Sequence, residues 1–163
     1  MCYAYFAGGC FWCITPTFRS LLGVESVTSG YCGGQEQNPT YDDVKHQRTG
    51  HRECIRIGYD PDVVSYDQLL QTYLASVDPF DGGGQFIDRG FSYTLAVFFS
   101  DEAEQAAALA QLARLEAQYG RKPCVALAPF FAFYKAEEYH QDYDLKNPED
   151  FRRELVESGR VRE

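Results

Sequence analysis

The stretch Gly8-Gly9-Cys10-Phe11-Trp12-Cys13 carries the residue types best suited to chemistry in this chain. Two glycines permit a tight turn and a close approach of other groups to the backbone. Cys10 falls where a strand, read over Tyr3 to Ala7, gives way to a helix ending near Gly23. Free backbone N–H groups and the positive end of a helix dipole point at such a position. Both favour the thiolate, the reactive form of cysteine. Thr15-Pro16 offers a second start for that helix, a capping residue followed by a first-position proline. A start there would leave Cys10 in an irregular lead-in turn. Cys10 and Cys13 form a C-x-x-C pair, which suits a nucleophile and its resolving partner. Cys32, in the turn Gly30-Tyr31-Cys32-Gly33, is the other candidate for the resolving thiol. Cys2, Cys54 and Cys124 read as ordinary buried cysteines. The competing use is a zinc-bound or redox-sensing module built on Cys10, Cys13, His51 and Cys54. His51-x-x-Cys54 is a poor second pair for structural zinc, so no metal is expected.

The second reactive group is a carboxyl. Alternation along a strand from Glu53 to Tyr59 places Glu53 on one face with Ile55, Ile57 and Tyr59. A carboxyl among isoleucines is desolvated and holds its proton to higher pH. In that state it serves as a general acid. A solvated Glu53 at the strand's wet end is the alternative. Tyr41 follows Asn38-Pro39-Thr40 in a loop, and Tyr93 stands beside Gly90 and a strand. Position alone singles out neither among twelve tyrosines. Glu137 and His140 have the Glu-x-x-His spacing of carboxylate-bridged metal sites. With no second copy, they read as a solvated helix face. His46 carries no signal.

The elements that must position these groups alternate. Val24 to Tyr31 reads as a second strand, Gln35 to Gly50 as a long polar loop, and Ser65 to Val77 as an amphipathic helix. Phe80 to Phe91, with three consecutive glycines, reads as a flexible loop. Tyr93 to Phe99 is apolar on both faces, as a central strand is. Ser100 is expected to cap a helix running to about Tyr119. A short strand over Val125 to Leu127, a helix over Ala136 to Leu145 and a last helix from Pro148 complete the pattern. The class is an α/β sandwich, a mixed sheet with helices packed against it. The 163 residues fit a single catalytic domain, 1–163, with a core over about 3–148 and a C-terminal helix and polar tail over 149–163. Glu157 to Glu163 reads as a solvated tail. A net charge of −9 repels phosphate backbones, so nucleic acid is not an expected partner. No run approaches the length of a membrane helix, and Met1 to Gly9 lacks the features of a signal peptide. A monomer in the cytoplasm is the expectation.

Taken together, Gly9-Cys10-Phe11-Trp12, Ser29-Gly30-Tyr31, Gly33-Gly34, Asn38-Pro39-Thr40-Tyr41, Thr49-Gly50-His51, Glu53 and Ala136-Glu137-Glu138-Tyr139-His140-Gln141 resemble the peptide methionine sulfoxide reductases of the A type. The resemblance runs from about Tyr3 to Pro148. It implies a ferredoxin-like α/β sandwich that reduces the S-epimer of methionine sulfoxide, free or in oxidised proteins. It further implies that Cys10 attacks the sulfoxide sulfur, Glu53 protonates the oxygen, and Tyr41 and Tyr93 hydrogen-bond it. Phe11 and Trp12 would hold the methyl group, and Asp88 matches an acidic residue of the family. Cys10 would become a sulfenic acid, Cys13 would condense with it, and thioredoxin or another dithiol would reduce the disulfide, with no bound cofactor. The chain departs from the pattern at Thr15, where Glu is usual, at Phe86, where Gly is usual, and at Thr94-Leu95, where Arg-Ser is usual. No cysteine lies beyond Cys124. Phe86 and the missing arginine leave room for a divergent relative acting on another small sulfoxide or sulfur compound.

Overall fold

The structure, a computed structural model, describes residues 2–159. In chain order it contains β1 (Cys2–Gly8), α1 (Phe11–Arg19), β2 (Val24–Cys32), α2 (Tyr41–Lys45), β3 (Arg52–Tyr59), α3 (Tyr66–Ser76) and the two-residue strands β4 (Gly84–Gln85) and β5 (Asp88–Arg89). Then come β6 (Leu95–Phe99), α4 (Glu102–Tyr119), β7 (Val125–Pro129), β8 (Phe133–Lys135), α5 (Tyr143–Lys146) and α6 (Pro148–Glu157). Six strands form one sheet in the order β7-β6-β1-β3-β2-β8. Its four middle strands, β6-β1-β3-β2, pair antiparallel. With α1 and α3 as crossovers they make the ferredoxin-like β-α-β-β-α-β unit. β7 joins β6 in parallel and makes the sheet mixed. The expected α/β sandwich is therefore the fold.

Each strand sorts its side chains by parity. Ala4, Phe6, Tyr31, Ile55, Ile57, Leu95 and Val97 face the helices and meet Phe18 of α1 and Leu69, Leu70 and Tyr73 of α3. Tyr5, Ala7, Cys32, Cys54, Ala96 and Phe98 face the other way, under Phe130 and Phe133. β6 is buried on both faces, as its composition requires. The Tyr73 hydroxyl, buried in the first layer, donates to the Ala7 carbonyl at 2.5 Å and ties α3 to β1. At Gly30, β2 pairs with β8 with no room for a side chain. A Cβ there would run into the Phe133 ring and sit 2.5 Å from the Tyr134 carbonyl oxygen. Gly30→Ala is therefore expected to displace β8 and to lower the melting temperature by several degrees, by a mechanism worth roughly 1–3 kcal/mol. A thermal melt unchanged from the parent would contradict this packing.

Several elements differ from the sequence pattern. Asp101, not Ser100, caps α4, accepting from the Glu104 N–H at 2.8 Å, while the Ser100 N–H bonds back to Glu104 Oε1. The polar loop contains α2, started by the Thr40 cap. The glycine-rich segment is a β4–β5 hairpin rather than a loop without structure. Its Gln85 side chain is fully buried and bonds the Asp78 N–H and C=O and the Gly84 carbonyl, which supplies the missing backbone partners. Residues 136–145 are not one helix. A 3-10 turn, Glu138–His140, precedes α5, because Gln141 turns inward to bond both the N–H and the C=O of Ser29. The expected solvated tail begins inside α6 at Glu157, Ser158 is buried, and residues 160–163 lie outside the described ones.

Candidate active site

Cys10 closes the turn after β1 and is the N-cap of α1. The helix begins at Phe11 and holds Pro16 in its interior, so Thr15-Pro16 does not open it. Thr15 is buried, and its hydroxyl donates to the Phe11 carbonyl at 2.7 Å. The helix terminus thus lies at Cys10, yet the sulfur makes no capping hydrogen bond. The Phe11 N–H points to Glu53 Oε1 at 3.2 Å, and the Cys13 N–H to the Cys10 carbonyl at 3.1 Å. A hydrogen bond with the Cys13 thiol, then burial, then the acidic neighbours Glu53 and Asp88 push the Cys10 thiol well above the ordinary range. The neutral thiol differs from the expected thiolate: the helix end is present, but Glu53 takes the Phe11 N–H and the Cys10 carbonyl takes that of Cys13.

Glu53 meets the expectation made for it. It is 1% exposed beside Ile55 and Ile57, and burial raises its carboxyl from 4.5 to about 8. Oε1 takes the Phe11 N–H, whereas Oε2 is buried without a well-formed hydrogen bond, and the Tyr93 phenol interacts with the carboxyl. With its carboxyl pushed up to about 8, Glu53 favours the protonated form at neutral pH, in which it can donate a hydrogen bond. The solvated alternative for Glu53 does not hold.

Cys10, only 8% exposed, lines a cavity of about 330 Å³. Trp12, Cys13, Tyr41, Asp88 and Tyr93 line it as well, so most of the expected site residues come together. Phe11 is fully buried behind them, its ring 6.4 Å from those of Trp12 and Tyr41. Burial raises the phenols of Tyr41 and Tyr93, which therefore stay protonated donors. Glu53 lies behind this lining rather than in it. Three larger cavities, of about 550, 540 and 410 Å³, lie elsewhere, and none of them includes Cys10.

Sequence reasoning missed the back wall. Glu137 and His140 are no solvated face. His140 is 1% exposed, its Nδ1 accepts from the Trp12 indole N–H at 3.0 Å, and burial lowers it to about 4, so it is neutral. Glu137 accepts from the Tyr31 hydroxyl and the Tyr41 N–H. Tyr143 stacks on Trp12 with ring centroids 4.0 Å apart. The last helix also enters the site, since Glu154, Glu157 and Ser158 line the cavity with Lys45 and Ile87. No signal in the sequence points to these contacts, which join segments 128 positions apart. Thr94 has a structural use: it accepts from Arg52 Nε at 2.9 Å and donates to the Phe91 carbonyl.

The zinc reading has no geometry behind it. The His51 ring is buried, with Nδ1 accepting from the Gly34 N–H and Nε2 bonded to the Glu36 carbonyl. Cys54 sits on the sheet face opposite Glu53, hydrogen-bonded to the Cys32 thiol. Cys2 and Cys124 are exposed rather than buried.

The groups gathered around Cys10 define a thiol-dependent oxidoreductase. The chain belongs to the peptide methionine sulfoxide reductase family, whose model matches residues 2–162. Peptide methionine sulfoxide reductase MsrA 2 of Staphylococcus aureus is 44% identical over 160 residues, covering 97% of this chain and 90% of that protein. MsrA of Bacillus subtilis gives the same figures. Among solved structures, Mxr1 from Saccharomyces cerevisiae in reduced form matches with a TM-score of 0.85 at 27% identity, covering 91% of this chain and 86% of that one. Methionine sulfoxide reductase A of Corynebacterium diphtheriae matches with a TM-score of 0.81 at 28% identity, covering 90% and 74%. As a member of this family the protein is an enzyme that reduces methionine sulfoxide at the expense of thiols.

Proposed function

We propose that the chain is one catalytic domain that reduces the S-epimer of methionine sulfoxide, with Cys10 as nucleophile and Glu53 as acid. The observation that carries this reading is the buried Glu53, pushed toward its protonated form beside the Cys10–Phe11 peptide and the Tyr93 phenol. Cys10 Sγ attacks the sulfoxide sulfur while Glu53 gives its proton to the oxygen. The Cys10 proton returns to the carboxylate, so the exchange is proton-neutral. The Cys10–substrate sulfur bond formed by the attack then breaks as the hydroxyl passes from the substrate sulfur to Cys10, leaving a sulfenic acid there and releasing methionine. The Tyr41 and Tyr93 phenols hydrogen-bond the oxygen as its charge develops. Phe11 and Trp12 form the apolar seat for the methyl group, and Asp88 closes the cavity beside them.

Cys13 then condenses with the sulfenic acid, forming a disulfide and releasing water. Its thiol is hydrogen-bonded to Cys10, whereas Cys32 faces the opposite layer. Thioredoxin is the reductant this reading favours, and a solved relative, yeast Mxr1, is known in complex with Trx2. All six cysteines are free thiols, which suits a monomer working in a reducing cytoplasm. The test offers dabsylated S- and R-methionine sulfoxide separately with dithiothreitol, then maps disulfides after one turnover without reductant. Reduction of the S-epimer alone and a Cys10–Cys13 linked peptide are expected. Equal reduction of the R-epimer, or a Cys10–Cys32 peptide, would overturn the assignment.

A further inference from the structure

The tip of the β4–β5 hairpin holds a bulky side chain where backbone geometry favours glycine. Phe86 has φ +55°, in the left-handed region. A large aromatic residue rarely adopts it, and doing so costs free energy. The hairpin has no freedom to release that strain. Gly84, at φ +141°, lies against the Asp88 carbonyl, and Gln85 is fully buried. Arg89 is paired to Asp81 at 2.6 and 2.8 Å and donates to the Phe86 carbonyl at 3.2 Å.

The strain is not offset by burying the tip. Phe86 remains 37% exposed and Ile87 63% exposed, and Phe91, just beyond the hairpin, is 46% exposed. Phe86 and Ile87, adjacent and exposed at the tip, form an apolar shelf, while Arg52 lies over the Phe91 ring at 4.4 Å. The shelf adjoins the chemistry: Ile87 and the next residue, Asp88, line the cavity that contains Cys10. Strain held at the mouth of a reactive cavity marks a functional constraint rather than a packing solution.

We propose that Phe86 and Ile87 bind the apolar side chains flanking a methionine sulfoxide in an extended peptide, and so bias the enzyme toward sulfoxides in apolar stretches of exposed or unfolded polypeptide. The occupant follows from position. A sulfoxide inserted toward Cys10 carries its neighbouring residues out over the hairpin, and the only chemistry Phe86 and Ile87 present there is apolar. The proposal rests on the reductase reading above and adds a substrate preference to it.

The experiment uses the full chain, dithiothreitol as reductant and two blocked peptides, Ser-Leu-Met(O)-Leu-Ser and Ser-Ser-Met(O)-Ser-Ser. The parent is expected to favour the leucine peptide in kcat/KM by roughly tenfold, the scale of discrimination an apolar subsite supplies. Phe86→Gly and Ile87→Ser are each expected to bring the ratio toward one. Phe86→Gly is expected to melt at or above the parent temperature, since glycine accepts φ +55° without strain, so a collapsed ratio does not report unfolding. A parent that reduces both peptides with equal kcat/KM, or variants that keep the parent ratio, would overturn the shelf while leaving the reductase reading in place. Loss of thioredoxin-coupled turnover with an unmoved peptide ratio would assign the surface to the reductant and equally overturn it. A parent that reduces neither peptide would remove the reductase reading itself, and the shelf with it.

Discussion

Glu53→Gln is expected to lower kcat/KM for S-methionine sulfoxide by roughly 10²- to 10⁴-fold, the usual contribution of a positioned general acid. Glutamine keeps an acceptor for the Phe11 N–H, now at 3.2 Å from Oε1, but has no acidic proton to give. The pH dependence separates this from a packing defect. The parent should lose activity as pH rises through about 8, where Glu53 ionises. The residual activity of the variant should lack that limb. Stability moves in the same sense. The folded carboxyl titrates higher than the unfolded one at 4.5, so its contribution is complete below 4.5 and is lost as pH rises through about 8. The full difference is on the order of 5 kcal/mol. The melting temperature of Glu53→Gln relative to the parent should therefore increase between pH 6 and pH 9. A relative melting temperature that stays flat across that interval would show that Glu53 is ionised in the folded protein, and the acid role would fall with it.

The second large effect separates the two neighbouring thiols. Cys10→Ser is expected to abolish turnover to background, because serine at this buried position is a far weaker nucleophile than sulfur. Cys13→Ser should retain a single turnover and release one equivalent of methionine per chain. It should then stop with a sulfenic acid that dimedone labels on Cys10. Continuous turnover with thioredoxin should be lost, while high dithiothreitol rescues part of it by attacking the sulfenic acid directly. If Cys13→Ser cycles with thioredoxin at the parent rate, another sulfur resolves Cys10. The resting Cys10 thiol is held neutral by Cys13 and by burial. Removing the Cys13 thiol should therefore also speed iodoacetamide labelling of Cys10, a readout independent of catalysis.

The fold, the turn at Cys10 and the burial of Glu53 were legible in the sequence because they depend on local pattern. The parity of Glu53 with Ile55, Ile57 and Tyr59 determines which face receives the carboxyl. The glycine turn before Cys10 determines where α1 starts. What stayed hidden depends on contacts between distant segments. His140 meets Trp12 across 128 positions, and α6 reaches the cavity from the far end of the chain. No periodicity announces either. The thiol's ionisation was misjudged for a related reason. A sequence shows that a helix begins at Cys10, but not that Glu53 and the Cys10 carbonyl will take its first N–H groups. The glycine-rich segment looked unstructured because the burial of Gln85, which organises it, leaves no mark on composition.

The sheet carries a thiol pair on each side. Cys32 and Cys54 lie sealed at 1% and 0% exposure beneath Phe130 and Phe133, with β2 and β3 between them and Glu53. Burial holds the Cys54 thiol well above its ordinary range, and the hydrogen bond with Cys32 adds to that. It neither ionises nor meets solvent. With Cys10 as the proposed nucleophile, the backbone of the sheet would act as insulation, leaving Cys13 as the sulfur on the cavity's side and the Cys32–Cys54 pair out of reach of the oxidised sulfur.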